Sequence, residues 1–145
     1  MLEVFMPRRS ASQIRMQSSC RRRWYLVPAS RVPLPTSLST STEHQIRDFE
    51  RRHGLDSDQV ARALLRWTGW ARCPRPDRWR YGWQFSPPFA DDRALLEALL
   101  AELRRPARRQ LWPIVATLDA RYRAVTVPDP FTPAYLPWWR RRTEL

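Results

Sequence analysis

Arginine and aromatic side chains adjoin at three places in this chain, a combination that can bind a phosphate-bearing strand with unpaired bases. Residues 21–25 read Arg-Arg-Arg-Trp-Tyr, residues 78–80 read Arg-Trp-Arg, and residues 138–142 read Trp-Trp-Arg-Arg-Arg. Aromatic rings stack on unpaired bases while guanidinium groups bind phosphates, so this interleaving favours single-stranded nucleic acid. The same composition also suits an anionic membrane surface, where Trp lies at the level of the headgroups.

A different interpretation of the C-terminal cluster is structural. Trp138 and Trp139 are adjacent, and two indoles are a large apolar area to leave in water. They could therefore fold back onto the core as a C-terminal clasp and leave three solvated arginines. Both interpretations stay open at the level of sequence.

The net charge is strongly positive, and every basic residue except the two histidines is arginine. The 145 residues hold 26 Arg, no Lys and no Asn, against 14 Asp and Glu, for a formal net charge of +12. Because Lys and Asn have AT-rich codons, part of this pattern is expected from a GC-rich genome. A basic excess nonetheless raises non-specific attraction to nucleic acid or anionic lipid.

The elements that must position these side chains are mainly helical. Apolar residues recur at helical spacing in segments 42–53, 56–69 and 92–104, and again from Pro106 onward. The residues at this spacing are Ile46, Phe49 and His53 in the first segment; Val60, Ala63, Leu64 and Trp67 in the second; Leu95, Leu96, Leu99, Leu100 and Leu103 in the third; and Leu111, Val115, Leu118 and Tyr122 in the last. Pro113 must kink or divide the last of these, since proline cannot donate the interior hydrogen bond. The predicted fold class is mainly α: a small helical domain of about four helices with one short aromatic strand or hairpin, flanked by irregular N- and C-terminal segments.

Two glycines and two helix starts help to set these boundaries. Gly54 is the expected residue after the first helix, and Gly69 is expected to end the second. Thr42 with Gln45 fits a capping box at the first start, and so does Thr40 with Glu43. The helix could begin as early as Thr36 if Leu38 belongs to its apolar face. Asp56 is the expected cap of the second helix.

The predicted strand covers residues 78–85. Its residues alternate between an aromatic face and a polar face, with a period of two. A lone strand needs a partner, which residues 25–27 or 124–127 could supply. An aromatic face of this kind is more often sheet packing than a stacking platform.

Composition divides the chain into three parts. Residues 1–35 are rich in Arg, Ser and Pro and are predicted to form a flexible basic arm. Residues 36–127 form the helical domain. Residues 128–145 are predicted to form a proline-rich C-terminal strap with an extended, polyproline-like conformation.

The first two helices resemble the DNA-reading helix-turn-helix over about twenty residues. The residues that carry the resemblance are apolar or a turn glycine: Phe49, Gly54, Leu55, Val60 and Leu64. Arg62 and Arg66 would then project from the second helix toward a groove. Glu50 departs from the motif, which wants a small residue where the helices approach closely. The alternative is an ordinary pair of helices joined by a tight turn.

No catalytic, metal or cofactor pattern stands out. Asp56 and Asp58 could bind a divalent metal, but both lie at a helix start, where acids cap for structural reasons. Three glycines do not make a phosphate-cradling loop, and neither His44 nor His53 has a nucleophile at a recognisable spacing. We therefore expect a non-enzymatic protein without a metal or cofactor.

The cellular setting is expected to be cytoplasmic. Cys20 and Cys73 are too few for a disulfide framework and are expected to be unpaired thiols in a reducing compartment. No apolar run approaches the roughly 18 residues that a transmembrane segment needs. Nothing in the pattern indicates an oligomeric state.

The leading hypothesis is a small basic protein that binds nucleic acid through arginine and aromatic side chains. The alternative is a protein–protein interaction module, a regulatory or neutralising partner that uses the Trp/Arg-rich strand and the C-terminal strap. The candidate contact residues are the same for both: Arg51, Arg62, Arg66, Arg78, Trp79, Arg80, Trp139, Arg140, Arg141 and Arg142.

Overall fold

The structure is a computed structural model that describes residues 31–72 and 92–144, and this part of the chain is mainly helical, as predicted. The helices are α1 (Thr40–Arg52), α2 (Gln59–Arg72), α3 (Asp92–Glu102) and α4 (Arg105–Ala124). A short 3-10 helix (Trp138–Arg140) lies between two short strands, β1 (Thr126–Pro128) and β2 (Arg142–Glu144). The predicted arm and the predicted aromatic strand at 78–85 lie outside the described residues, apart from the last five positions of the arm.

Helix α1 begins earlier than the capping box at Thr42 predicts. Ser39 is its N-cap, and its Oγ accepts a hydrogen bond from the Thr42 amide at 3.3 Å. The helix ends at the predicted place, because Gly54 follows with a φ of +65°. That left-handed conformation is one that glycine adopts without the steric penalty of a Cβ.

Helix α2 differs from its prediction at both ends. Its Val60 amide donates to Glu50 Oε1 of α1 at 2.9 Å, so Glu50 acts as a cap from the neighbouring helix. Asp56 instead contributes its backbone carbonyl, which accepts from the Gln59 amide. The prediction that Gly69 ends this helix is wrong. A glycine costs an exposed helix only about 1 kcal/mol, and burial of Trp67 and Ala71 on either side offsets that cost.

Helix α3 ends at Glu102 and passes directly into α4. Arg108 of α4 donates from Nη2 to the carbonyls of Ala101 and Leu103, both at 3.2 Å, and so satisfies groups that the end of α3 leaves open. Helix α4 is a single helix of 20 residues that contains Pro113 and is not divided by it. Pro113 lies on the exposed face, while the buried stripe continues past it on the other face.

The apolar stripes of all four helices meet in one core. The residues predicted for α3 and α4 are buried: Leu95, Leu96, Leu99, Leu100, Leu103, Leu111, Val115, Leu118 and Tyr122. Those predicted for α2, namely Val60, Ala63, Leu64 and Trp67, are buried as well. The periodicity therefore identified the inward face of each helix correctly.

The C-terminal segment folds back onto the helices. Trp139 is 6% exposed, and its carbonyl accepts from Tyr122 Oη at 3.1 Å. Strand β2 then pairs antiparallel with β1, with Thr143 opposite Val127. Between the strands the chain turns twice, near positions 129–132 and 133–136, so this segment is not a continuous extended strap.

Candidate functional site

The arginines of α1, α2 and α3 have carboxylate partners wherever their side chains are described. Five pairs join an arginine to an acid three or four positions away: Arg47–Glu43 at 3.9 Å, Arg51–Asp48 at 2.7 Å, Arg52–Asp48 at 3.1 Å, Arg62–Asp58 at 2.9 Å and Arg93–Glu97 at 2.6 Å. Three further pairs join different helices: Arg52–Glu102 at 3.0 Å, and Arg66–Asp92 and Arg93–Asp119, both at 2.9 Å. Three predicted contact residues, Arg51, Arg62 and Arg66, thus have their charge balanced locally.

The arginines around α4 have a different environment. We call them the α4 arginine surface: Arg104, Arg105, Arg108, Arg109, Arg121, Arg123, Arg141 and Arg142. Among the carboxylate side chains that the structure describes, none lies within ion-pair distance of any of these eight. The partly buried Arg140 lies among them.

Local composition explains this difference. Residues 105–142 hold eight arginines and two aspartates, a net charge of +6. Asp119 is buried and binds Arg93, and Asp129 accepts from the Phe131 amide and Thr132 Oγ1. Both acids are therefore engaged away from the surface arginines.

The N-terminal part of the surface lies at the start of α4. Arg104 is the N-cap residue, Arg105 and Arg109 are exposed, and the first turn contains no acid. The amides at a helix start carry partial positive charge, so arginine is the less favourable choice there and an anion is favoured. This end of α4 is thus positive from both its backbone and its side chains.

The C-terminal part combines arginine with tryptophan. The Arg123 guanidinium lies 3.8 Å from the centroid of the Trp138 ring. Arg142 donates to Thr126 Oγ1 at 2.8 Å and to the Thr126 carbonyl at 2.7 Å, next to the end of α4. Burial, with a contribution from the charge of Arg123, lowers the pKa of Arg142. Such a shift is expected where positive charges gather without a counter-ion.

Two aromatic side chains project beside these arginines. Phe131 is 94% exposed and Tyr135 is 85% exposed. The Asp129 amide donates to the Arg141 carbonyl at 2.8 Å, which fixes the start of their loop against the basic C-terminal segment. Single exposed apolar side chains are common on protein surfaces, so this exposure makes the two rings available for contact without showing a binding role.

Trp139, a predicted stacking residue, is used inside the protein. The Arg93 guanidinium lies 4.8 Å from its ring centroid, and the Trp138 and Trp139 rings meet edge to face with centroids 5.8 Å apart. This is the arrangement that the clasp interpretation predicts. Stacking of Trp139 on a base would require it to leave the core.

The remaining predicted contact residues divide into two sets. Arg78, Trp79 and Arg80 lie outside the described residues. Arg140, Arg141 and Arg142 lie together at the C-terminal end, beside Arg121 and Arg123 in the same charge-rich part of the chain. Sequence reasoning missed Arg104, Arg105, Arg108, Arg109, Arg121 and Arg123, although the scarcity of acids between 105 and 142 was a signal for them.

The helical pair places Glu50 at the contact between α1 and α2. Its side chain is 2% exposed, and its carboxylate caps α2 through the Val60 amide instead of pointing away from the pair. The two arginines that the helix-turn-helix resemblance assigns to a groove, Arg62 and Arg66, are ion-paired. The two arginines of α2 whose side chains are described therefore offer no free guanidinium group to a DNA groove.

The described residues form neither a metal-binding cluster nor a membrane-spanning helix. Across residues 31–72 and 92–144, no three His, Cys, Asp or Glu side chains lie together in a way that could hold a metal ion. Among the described helices, none combines the length and apolar character needed to cross a membrane.

No protein-family model matches this chain, and neither a curated protein nor a solved structure shows significant similarity to it. A function can therefore be inferred only from the chain's own geometry and charge.

Proposed function

We propose that this protein is a small, non-enzymatic basic protein that binds nucleic acid, with a preference for single strands. The observation that carries the proposal is the segregation of charge. Arginines on α1 to α3 are matched by carboxylates, whereas the eight of the α4 arginine surface have no ion-pair partner among the carboxylate side chains that the structure describes. Codon usage alone would not sort arginines in this way.

The length of the surface favours a polymer over a single phosphate. Arg105 and Arg123 are eighteen positions apart on α4, which is five full turns, so they lie on the same side of the helix, about 27 Å apart at 1.5 Å per residue. An extended polyanion can reach both ends of α4 at once. Each phosphate bound there releases counterions, and this release supplies most of the non-specific affinity.

The exposed aromatic rings favour unpaired bases. Phe131 and Tyr135 take the stacking role that the sequence assigned to Trp139, because they are open to solvent and Trp139 is not. Stacking of a base on such a ring contributes roughly 1–3 kcal/mol and tolerates any base. The expected result is affinity with a shallow sequence preference.

The proposal can be tested by filter binding with a labelled single-stranded oligonucleotide at several salt concentrations. Affinity should fall steeply with salt, by a log–log slope of about 0.7 for each phosphate contacted. A duplex of the same sequence should bind more weakly, because its bases are not available for stacking. Absence of binding even at low salt would rule the proposal out.

Stacking can be tested separately at Tyr135. Tyr135→Ala should weaken binding of the single strand, while Tyr135→Phe, which keeps the ring, should not. The exposed position of Tyr135 makes loss of folding an implausible cause of either result. Equal affinity of both variants and the parent would exclude a stacking role for this residue.

The exposed rings also favour the second candidate, a protein-interaction module. Aromatic and arginine side chains are enriched among the residues that dominate protein–protein binding energy. Purification from a native extract with and without nuclease separates the two functions. A stoichiometric protein partner that survives nuclease treatment would favour the interaction module, and loss of all partners would favour nucleic acid.

A further inference from the structure

A cavity of about 290 Å³ lies between α1 and the loop that leads into α2, away from the α4 arginine surface. Its walls come from residues 31–34, from α1 and from residues 57–61. Ligand pockets in proteins commonly begin near 300 Å³, so this one has room for a small molecule.

Glu50 forms part of the wall and has one oxygen without a partner. Oε1 accepts from the Val60 amide at 2.9 Å, but Oε2 is buried and has no hydrogen-bond partner. A buried acceptor left without a donor costs roughly 1–3 kcal/mol. The side chain is 2% exposed, and α2 uses only half of its carboxylate.

The other two acids of the wall, Asp58 and Glu43, already have hydrogen-bond or ion-pair partners. Asp58 accepts from Arg62 Nε at 2.9 Å and from the Val32 amide at 3.1 Å, and these bonds hold its pKa below the ordinary value. Glu43 has a looser contact with Arg47, at 3.9 Å. Glu50 is therefore the acid in this wall that most needs a donor.

The wall also contains two guanidinium groups. Arg31 is exposed and has no carboxylate partner within the described residues, and Arg47 is held only by the long contact to Glu43. A ligand that carried only a cation would meet both of these positive groups. A ligand that carried only an anion would meet Glu50, Asp58 and Glu43.

We infer that this cavity binds a small zwitterion of the amino-acid type, with its ammonium group directed to Glu50 and its anionic group directed to Arg31 and Arg47. The ammonium would donate to Oε2, the unpartnered oxygen of a side chain that lines the cavity. The two guanidinium groups would fix the opposite end of the ligand. This site is independent of the nucleic-acid proposal, since it shares no residue with the α4 arginine surface.

Binding should depend on pH through Glu50. Burial raises the pKa of its carboxyl, and Asp58 raises it further, while the Val60 amide, Arg47 and Arg31 act in the opposite direction. An ammonium group binds the ionised form better than the protonated form. Affinity should therefore increase as pH rises through the pKa of Glu50.

Calorimetric titration of the full chain with three molecules of matched length tests this inference: γ-aminobutyrate, butylamine and butyrate. We expect γ-aminobutyrate to bind at least about tenfold more tightly than either of the others, a difference of roughly 1.4 kcal/mol. No heat with γ-aminobutyrate, or equal affinity for butylamine, would overturn the zwitterion assignment.

Two variants locate the site. Glu50→Gln keeps an oxygen for the Val60 amide but replaces the free acceptor with a donor, so it should weaken γ-aminobutyrate binding by about tenfold or more. Arg31→Ala, an exposed change that leaves the fold intact, should weaken it as well. Asp48→Asn serves as the control, because Asp48 is on the exposed face of α1 and is not part of the cavity wall. Unchanged affinity in Glu50→Gln and Arg31→Ala would place any binding elsewhere and reject the site.

Discussion

Arginine has three different roles in this protein, and the neighbours of each guanidinium decide which role it has. Arg93 is buried, 2% exposed, and makes two hydrogen bonds of 2.9 Å to Asp119. Arg142 satisfies backbone groups next to the end of α4. Arg121 is exposed and has no ion-pair partner within the described residues. Whether an arginine is available to bind a ligand therefore depends on whether an acid lies nearby, and not on its residue type alone.

The buried pair should contribute far more to stability than any surface pair. Asp119 also accepts from Trp67 Nε1 at 3.0 Å, so Asp119→Asn disturbs three donors and leaves the Arg93 charge in the core. Removing one partner of a buried pair costs roughly 3–5 kcal/mol. We expect a loss of that size in the free energy of unfolding, measured with a chemical denaturant.

The control for this prediction is Asp48→Asn on the exposed face of α1. Asp48 contacts Arg51 and Arg52, but all three side chains are about half exposed or more. Solvent and salt screen such pairs, so the free energy of unfolding should change only slightly. Similar losses in both variants would show that burial does not determine the contribution of these pairs.

Glu50 should make stability depend on pH. Its pKa in the folded protein is raised above the ordinary value of 4.5 by burial, so the folded state holds its proton more tightly than the unfolded state does. The contribution of Glu50 is then greatest below the unfolded pKa and is lost as pH rises through the folded pKa. The free energy of unfolding of the parent should therefore fall relative to Glu50→Gln as pH rises above about 4.5. Parallel pH profiles of the two proteins would contradict this.

At the scale of elements, periodicity predicted the helices well and their ends less well. The inward faces were predictable because core residues must recur with the helical period. The ends depend on tertiary contacts that spacing does not reveal. Glu50 caps α2 from ten residues away, and burial of Trp67 and Ala71 carries α2 past Gly69. Pro113 did not divide α4, because the packed stripe on the opposite face holds both halves together.

The clasp formed by Trp139 should be part of the stable fold. Trp139 is 6% exposed and contacts Trp138, and its carbonyl accepts from Tyr122 Oη. Trp139→Ala should therefore cost about 3–5 kcal/mol of unfolding free energy through lost burial and a new cavity. Trp112→Ala, at a position that is 48% exposed on α4, removes the same side chain and should cost much less. Comparable losses, measured by denaturant unfolding, would mean that the C-terminal segment does not stabilise the core.

At the scale of the whole molecule, the site was only partly predictable. Arg140, Arg141 and Arg142 could be named from sequence because they are contiguous and follow two adjacent tryptophans. The pairing of Arg62 with Asp58 was also within reach, since an acid four positions before an arginine on a helix lies beside it. The pairing of Arg66 with Asp92 was not, because 26 residues separate them and only the packing of α2 against α3 brings them together. Such long-range pairs decide which positive charges are left for a ligand.

The distribution of charge, and not its total, should therefore control binding to a polyanion. Two triple variants test this: Arg105, Arg109 and Arg121 changed to Gln, and Arg47, Arg51 and Arg52 changed to Gln. Each lowers the formal net charge from +12 to +9, and all six residues are exposed. The first removes guanidinium groups that have no partner among the described carboxylate side chains, whereas the second removes groups that are already paired.

We expect the first triple variant to lose most of its affinity for a single-stranded oligonucleotide, with a log–log salt slope smaller by about two. The second should bind nearly as well as the parent at physiological salt, because the screening length of about 8 Å limits the distance over which each charge interacts. The measurement is the dissociation constant of each protein across a range of salt, with circular dichroism to verify folding. If both variants lose affinity equally, the protein attracts polyanions through its overall field, and the α4 arginine surface is not a docking site.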